Sequence, residues 1–250
     1  IVDVLQPMRA LYLRMPAVAT LVLVIGAGYI IGGIRSALVV GGLTLFIALS
    51  PWWDRALVTL YMATFGVFIS TIIGFTVGIL SFQNKHTANF MLGVCDIFQT
   101  FPSFVYLIPV MMLFGVTDTS VLIAVVVYAT IPATRYTIEG LRSVPVALHD
   151  AATMSGVTKL QRLLKIEFPL AFPHMMLGLN QTIVFALFMV IIGAFIGTED
   201  LGQYILKALS DKKGAGIGLT LGLCVAFIGL IFDHLIRTWV GQRKKHLGID

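Results

Sequence analysis

Few residues in this chain could do covalent chemistry, and none of them is grouped for it. The five histidines are dispersed, with no His-Glu-x-x-His pair to hold zinc and no Ser/His/Asp grouping to activate a nucleophile. Cys95 and Cys224 lie in apolar surroundings without a Cys-x-x-Cys pattern or a nearby histidine, so they read as small buried side chains. No catalytic residue and no metal site is expected. What remains is the chemistry of recognition. Phe98, Phe101, Phe104 and Tyr106 flank Pro102; such rings either pack around a proline bend or pass a quaternary ammonium by cation–π attraction. Asn180-Gln181-Thr182 is the most polar group inside an apolar run. Amides in lipid must face other helices or a cavity, so this group either bonds between helices or, with Phe98, Phe101 and Tyr106, lines a path. Asp96 is expected in solvent near a helix end, and Asp233 and Arg237 as an i,i+4 ion pair on a helix surface.

The largest polar feature is Asp150-Ala151-Ala152-Thr153-Met154-Ser155-Gly156, with Ile166-Glu167-Phe168-Pro169 beginning ten residues after the glycine. It lies between apolar runs long enough to span a bilayer. The chain around it is 250 residues long, 58% hydrophobic and only 12% charged, with mean hydropathy +0.96. That leaves too little polar surface to cover a core in water, so the class is an all-α polytopic membrane protein with lipid as its surroundings. The net charge of +5 does not point to nucleic acid, because the basic residues sit at segment ends, as membrane anchors do. The chain opens on Ile1 rather than Met, which leaves room for residues upstream, and no signal peptide with a cleavage site is legible.

Taken in order, residues 1–15 read as an amphipathic lead-in at the membrane surface. Apolar runs follow at 16–33 and 37–50, then an interfacial corner at Pro51-Trp52-Trp53-Asp54-Arg55, since indole rings favour the headgroup layer. Further runs cover 56–82, 88–116, 120–131, 170–196 and 216–239, about seven spans, of which the second and fifth fall short of the ~20 residues a span needs. Pro132 is read as ending the fifth, leaving a polar stretch over 135–168. Residues 1–55 thus form a lead-in with two peripheral helices, 56–240 a core, and 241–250 a basic tail. Arg135, Arg142, Lys159, Arg162 and Lys165 in the stretch, and Arg237, Arg243, Lys244 and Lys245 near the end, place both regions on the cytoplasmic side of the membrane. Arg9, Arg14, Lys207, Lys212 and Lys213 count against this orientation.

The polar stretch has its own grammar. Pro145 opens a helix, 146–154 contains nothing that breaks one, and Gly156 is placed to end it in a left-handed conformation. Thr158-Lys159-Leu160-Gln161 fits a capping box for a second helix, which Pro169 is read as closing. Ala151, Ala152, Ser155 and Gly156 give this turn a small-residue surface that lets another protein approach the backbone.

These residues resemble the EAA motif of type I ATP-binding-cassette import permeases: Asp150-Ala151-Ala152, Gly156 after three residues, then Ile166-x-Phe168-Pro169. Within that family the chain looks most like the permeases of bacterial glycine betaine/proline betaine importers. The supporting stretches are Gln99-Thr100-Phe101-Pro102-Ser103-Phe104, Gly178-Leu179-Asn180-Gln181-Thr182 and Ile196-Gly197-x3-Leu201-Gly202, and the similarity runs over about 53–235. Asp150 stands where the family has Glu, Phe168 where it has Leu, and Thr198-Glu199-Asp200 where it has a small, Gly-rich turn, adding acid to an outer loop.

The resemblance implies the type I importer transmembrane fold and a homodimer with two cytoplasmic ATPase subunits and an external solute-binding protein. It assigns coupling to the ATPase to Asp150, Ala151, Ala152, Ser155, Gly156 and Val157, and places ATP and magnesium on that partner, with no cofactor on this chain. The implied cargo is a small compatible solute such as glycine betaine, proline betaine, choline, carnitine or trimethylamine N-oxide. An ion-gradient-driven secondary transporter is the competing class; it would want paired acids or broken helices at mid-membrane.

Overall fold

A computed structural model describes residues 2–198, 200–211 and 214–247. The described residues are almost entirely helical, with no strand. Helix α1 (Val2–Leu13) is followed by α2 (Ala17–Leu49), α3 (Trp53–Phe82), α4 (Lys85–Thr100), α5 (Phe104–Phe114) and α6 (Asp118–Arg142). Two short helices, α7 (Val146–Met154) and α8 (Lys159–Arg162), lead through a π-turn at Leu163–Glu167 into α9 (Phe168–Ile192); α10 (Leu201–Ser210) and α11 (Ala215–Leu247) complete the chain. By length and composition five stretches can cross a membrane, and six if the bent pair α4–α5 counts as one span.

Helix α2 is continuous only in outline. Gly33 has φ 67° and ψ −162°, a conformation for glycine alone, and there the chain folds back. A Cβ on Gly28 would lie 3.1 Å from the Cα of Ala37, and one on Gly41 2.9 Å from Ile25; residues so far apart in sequence could not meet along one straight helix. The two arms correspond to the short apolar runs at 16–33 and 37–50. The His234 ring meets Ser36 Oγ at 3.1 Å, fastening the second arm to α11. Helix α1 is docked rather than lying free on the surface, with Arg9 Nη1 2.9 Å from Asp118 Oδ2 and Tyr12 against Tyr61.

The core is α6 held between α3 and α9. Small residues set the closeness: a Cβ on Gly74 would stand 2.4 Å from that of Ala133, and one on Gly178 2.6 Å from that of Tyr136. Ser70 Oγ donates across the α3–α6 contact to the Val126 carbonyl at 3.2 Å.

Proline misleads twice. Helix α6 does not end at Pro132 but runs to Arg142. The buried ring sits inside the packed core, where Thr134 and Thr137 bond back to the carbonyls of Thr130 and Ala133 and tertiary packing holds the helix together. The non-helical stretch therefore begins near Ser143, not at 135. Arg135 belongs to α6, where it pairs with Asp96 and Glu139 and bonds Gln99, so Asp96 is ion-paired rather than simply solvated. Nor does Pro169 close a helix: the wider π-turn before it accommodates a ring without an N–H, and the chain enters α9 unbroken. Pro102 does break the chain. Phe101 is extended (φ −72°, ψ 135°), as a residue before proline prefers, and α4 and α5 meet at 91°, so 88–116 is no straight span. Cys95 and Cys224 are buried and free. Helix α11 continues through 241–247; the side chains of Lys244 and Lys245 lie outside the described residues, as do Lys212 and Lys213.

Glu199 also lies outside the described residues, but Asp200 contradicts the picture of an acidic outer loop: it is 0% exposed. Its Oδ1 caps α10 by accepting the Gln203 N–H at 3.0 Å, and the Leu201 N–H donates to Thr59 Oγ1 of α3 at 3.1 Å. The second carboxyl oxygen has no well-formed hydrogen bond among the described residues. Burial pushes this carboxyl up from 3.8 to about 7, against the downward pull of the Gln203 N–H.

Two expectations follow from these positions. Gly33→Ala forces a side chain into the left-handed turn and should cost about 1–3 kcal/mol, lowering the thermal unfolding midpoint in detergent. The control Gly42→Ala, at a site with nothing within 4 Å and no left-handed backbone, should not; equal midpoints would refute the hairpin strain. For Asp200, the folded state keeps a proton that the unfolded chain releases above 3.8. Its stabilising contribution is therefore complete at acid pH and is lost as pH rises toward 7. The midpoint should fall between pH 5 and pH 8, and Asp200→Asn, which keeps the capping oxygen, should flatten most of that slope.

Candidate functional site

The segment joining α6 to α9 is built from local rules. Pro145 (φ −57°, ψ 133°) precedes α7 and fixes the backbone angle at its entry. At the other end, the Gly156 N–H donates to the Thr153 carbonyl at 3.1 Å and the Val157 N–H to the Ala152 carbonyl at 3.3 Å. With Gly156 at φ 72°, this is a Schellman motif, which satisfies the last carbonyls of α7 while turning the chain. The capping box follows at once: Thr158 Oγ1 accepts the Gln161 N–H at 3.3 Å and Gln161 Oε1 accepts the Thr158 N–H at 2.9 Å. The result is a helix, a four-residue turn and one further helical turn.

Asp150, Ala151, Ser155, Gly156 and Val157 are exposed on this segment, and Asp150 makes no ion pair among the described residues. Ala152 is the exception. At 4% exposure it faces inward, so its small size lets α7 settle on its own chain and does not offer a surface to a partner. Sequence reasoning passed over the apolar side chains here: Met154 is 91% exposed and Val146 71%. Val146, Asp150 and Met154 recur every four residues and so share one face of α7.

Glu167 was also passed over. It stands at the root of α9, 2% exposed, and its Oε1 accepts from Arg162 Nε at 2.7 Å while facing His149 Nδ1 at 3.0 Å. One oxygen thus gathers a side chain from α7 and one from α8. Beside them, a cavity of about 430 Å³ opens between the end of α3 (Phe82, Gln83) and α8 (Lys159, Leu160).

Within the bundle, the residues expected along a path separate. Asn180 is 5% exposed and donates from Nδ2 to Asp233 Oδ1 at 2.6 Å; Asp233 in turn pairs with Arg237 at 2.6 Å. Asn180 is therefore a bolt between α9 and α11 and not an open lining group. Gln181 is half-buried. Tyr106 is sealed at 8% exposure, its hydroxyl donating to the Phe98 carbonyl. Phe98 and Phe101 remain partly open, 6.2 Å apart. They begin a row of rings that crosses four helices: Phe98 to Tyr106 at 6.1 Å, Tyr106 to Tyr128 at 5.2 Å, and Tyr128 stacked on Phe185 at 4.7 Å. Tyr128 and Phe185 carried no signal in the sequence, since each sits in an apolar run with nothing to set it apart from its neighbours. Among the described residues, no group of His, Cys, Asp or Glu is arranged to hold a metal ion.

This architecture has known counterparts. A family model described as a binding-protein-dependent transport system inner membrane component matches residues 66–246. The chain is 98% identical over 249 residues to a trimethylamine N-oxide transport system permease protein of Pelagibacter ubique, covering all of this chain but 35% of that protein; it spans about a third of that relative's length. A glycine betaine transport system permease protein of Bacillus subtilis is 32% identical over 79% of this chain and 69% of its own. A methionine ABC transporter solved in inward-facing conformations superposes with a TM-score of 0.66 at 20% identity, over 74% of this chain and 92% of that one, a likeness of fold. The chain belongs to the family of binding-protein-dependent transport system inner membrane components and has the transmembrane fold of ABC importers.

Proposed function

We propose that this chain forms the membrane pathway of an ATP-driven importer for small methylated amines, with trimethylamine N-oxide the first candidate. The observation that carries the reading is the α7–α8 segment: a rigidly capped turn presenting Asp150, Met154 and the Gly156 backbone outward from the bundle. Such a segment suits docking to another protein. A separate cytoplasmic ATPase is the proposed partner, holding ATP and its magnesium, with the segment and the C-terminus on the same side. A second copy of the permease and an external solute-binding protein complete the proposed assembly, and this chain itself performs no catalysis.

The solute class is supported by the relatives, a trimethylamine N-oxide permease and a glycine betaine permease. Both solutes carry a positively charged nitrogen bearing three methyl groups. Aromatic faces attract such a group by roughly 0.5–2 kcal/mol, and the open rings of Phe98 and Phe101 are placed to offer them. Asn180 and Tyr106, engaged elsewhere, have supporting roles.

The test is uptake of labelled trimethylamine N-oxide into proteoliposomes containing the complete transporter, the solute-binding protein and internal or external ATP as orientation requires. Uptake should need ATP, survive a protonophore at constant ATP, and fall at least about tenfold for Gly156→Trp, which places a bulky ring in the docking face at a left-handed position. Collapse under the protonophore, or full activity of Gly156→Trp, would overturn the reading. Phe98→Ala should weaken uptake about 2- to 30-fold, the span of one cation–π contact.

A further inference from the structure

Between α7 and α9 the chain passes through the left-handed turn at Gly156, a residue free to adopt other backbone angles. A push on α7 could be absorbed there. Packing offers little alternative: α7 has only sparse contacts with other helices, and on the α3 side α8 borders the cavity of about 430 Å³. The main tie that bypasses the hinge is Glu167. It is 2% exposed, lies immediately before α9, and receives both His149 of α7 and Arg162 of α8 on one oxygen. A carboxylate this deeply buried is held in place by its cationic and hydrogen-bonding partners, and loss of any one leaves the others unpaired.

We infer that His149 and Glu167 are positioning residues that clamp the α7–α8 segment to the root of α9, so that displacement of α7 reaches the membrane helix as a rigid motion. The inference rests on the reading of α7 as a docking element, and it adds the route by which docking is felt in the bundle. Neither residue touches the solute. A cluster that served only to stabilise the fold would affect melting without changing how transport follows hydrolysis.

The clamp can be tested in the full-length protein with Cys95 and Cys224 replaced. Spin labels at Met154→Cys, on α7, and Leu177→Cys, 44% exposed on α9, with the labelled protein diluted in excess unlabelled protein so that labels on two copies do not meet, should give one narrow distance in lipid vesicles without the ATPase. His149→Ala should at least double the width of that distribution. His149→Asn, whose side-chain amide nitrogen lies near the place of the ring Nδ1, should restore it. In the complete unlabelled transporter, His149→Ala should lower solute moved per ATP about fivefold with basal hydrolysis unchanged, and His149→Asn should recover it. An unchanged distance distribution in His149→Ala overturns the clamp, and a broadened one with parental solute-to-ATP ratio overturns its role in transmission. Parental protein that shows no ATP-driven uptake overturns the proposed function instead, a result the distance measurement does not depend on.

Discussion

In a bilayer, apolar side chains gain almost nothing by leaving lipid for protein, so helices are held together by how closely their backbones approach and by polar bonds between them. This constraint governs the whole bundle. Gly66, Gly74 and Gly78 of α3 meet α6 where even a methyl group would collide, and Gly140 and Gly178 do the same between α6 and α9. The polar bonds that supplement this contact are few and specific. Asn180 joins Asp233, Arg135 joins Asp96, and Thr59 receives the N–H of Leu201. Each secures a different pair of elements, and together they explain why polar side chains are tolerated where apolar ones would cost nothing to insert.

The same economy explains the site. A segment outside the bundle cannot rely on close packing, so it is built from backbone caps: a Schellman turn, a capping box, and one buried carboxylate gathering two helices. The aromatic row is the reverse case. Its rings run from α4 through α5 and α6 to α9, and the two nearest the bend at Pro102 are the most exposed. The bend lets the row pass from α4 to α5, since it brings Tyr106 back against Phe98.

Legibility in the sequence followed the range of the interaction. The α7 turn could be read from Gly156, Thr158 and Gln161 because its hydrogen bonds close within a few residues. The ion pair of Asp233 and Arg237 was readable for the same reason. The family resemblance supplied the fold. Glu167 could not be found, since His149 stands across the turn at Gly156, where helical periodicity does not carry over, and Arg162 is five residues upstream, a spacing off the helical face. The bond from Asn180 to Asp233 spans 53 residues and left only an ambiguity between bridging and lining. Ala152 was misplaced because composition does not reveal the rotation of a short helix about its own axis. Pro132 and Pro169 were read by propensity, and a buried core in one case and a widened turn in the other overrode it.

The fold-back at Gly33 has a consequence for the surroundings of the protein. Each arm of α2 rises only about 24 Å, whereas the hydrocarbon layer is about 30 Å thick. Next to it stands α11, whose span Ala215–Arg243 is long enough to cross with length to spare. The two sides of this helical pair thus present unequal apolar heights to the same lipid. The bilayer must thin beside the hairpin and recover beside α11, an elastic deformation whose cost grows with each ångström of mismatch. Membrane thickness thereby enters the elastic energy of the lipid that surrounds the hairpin.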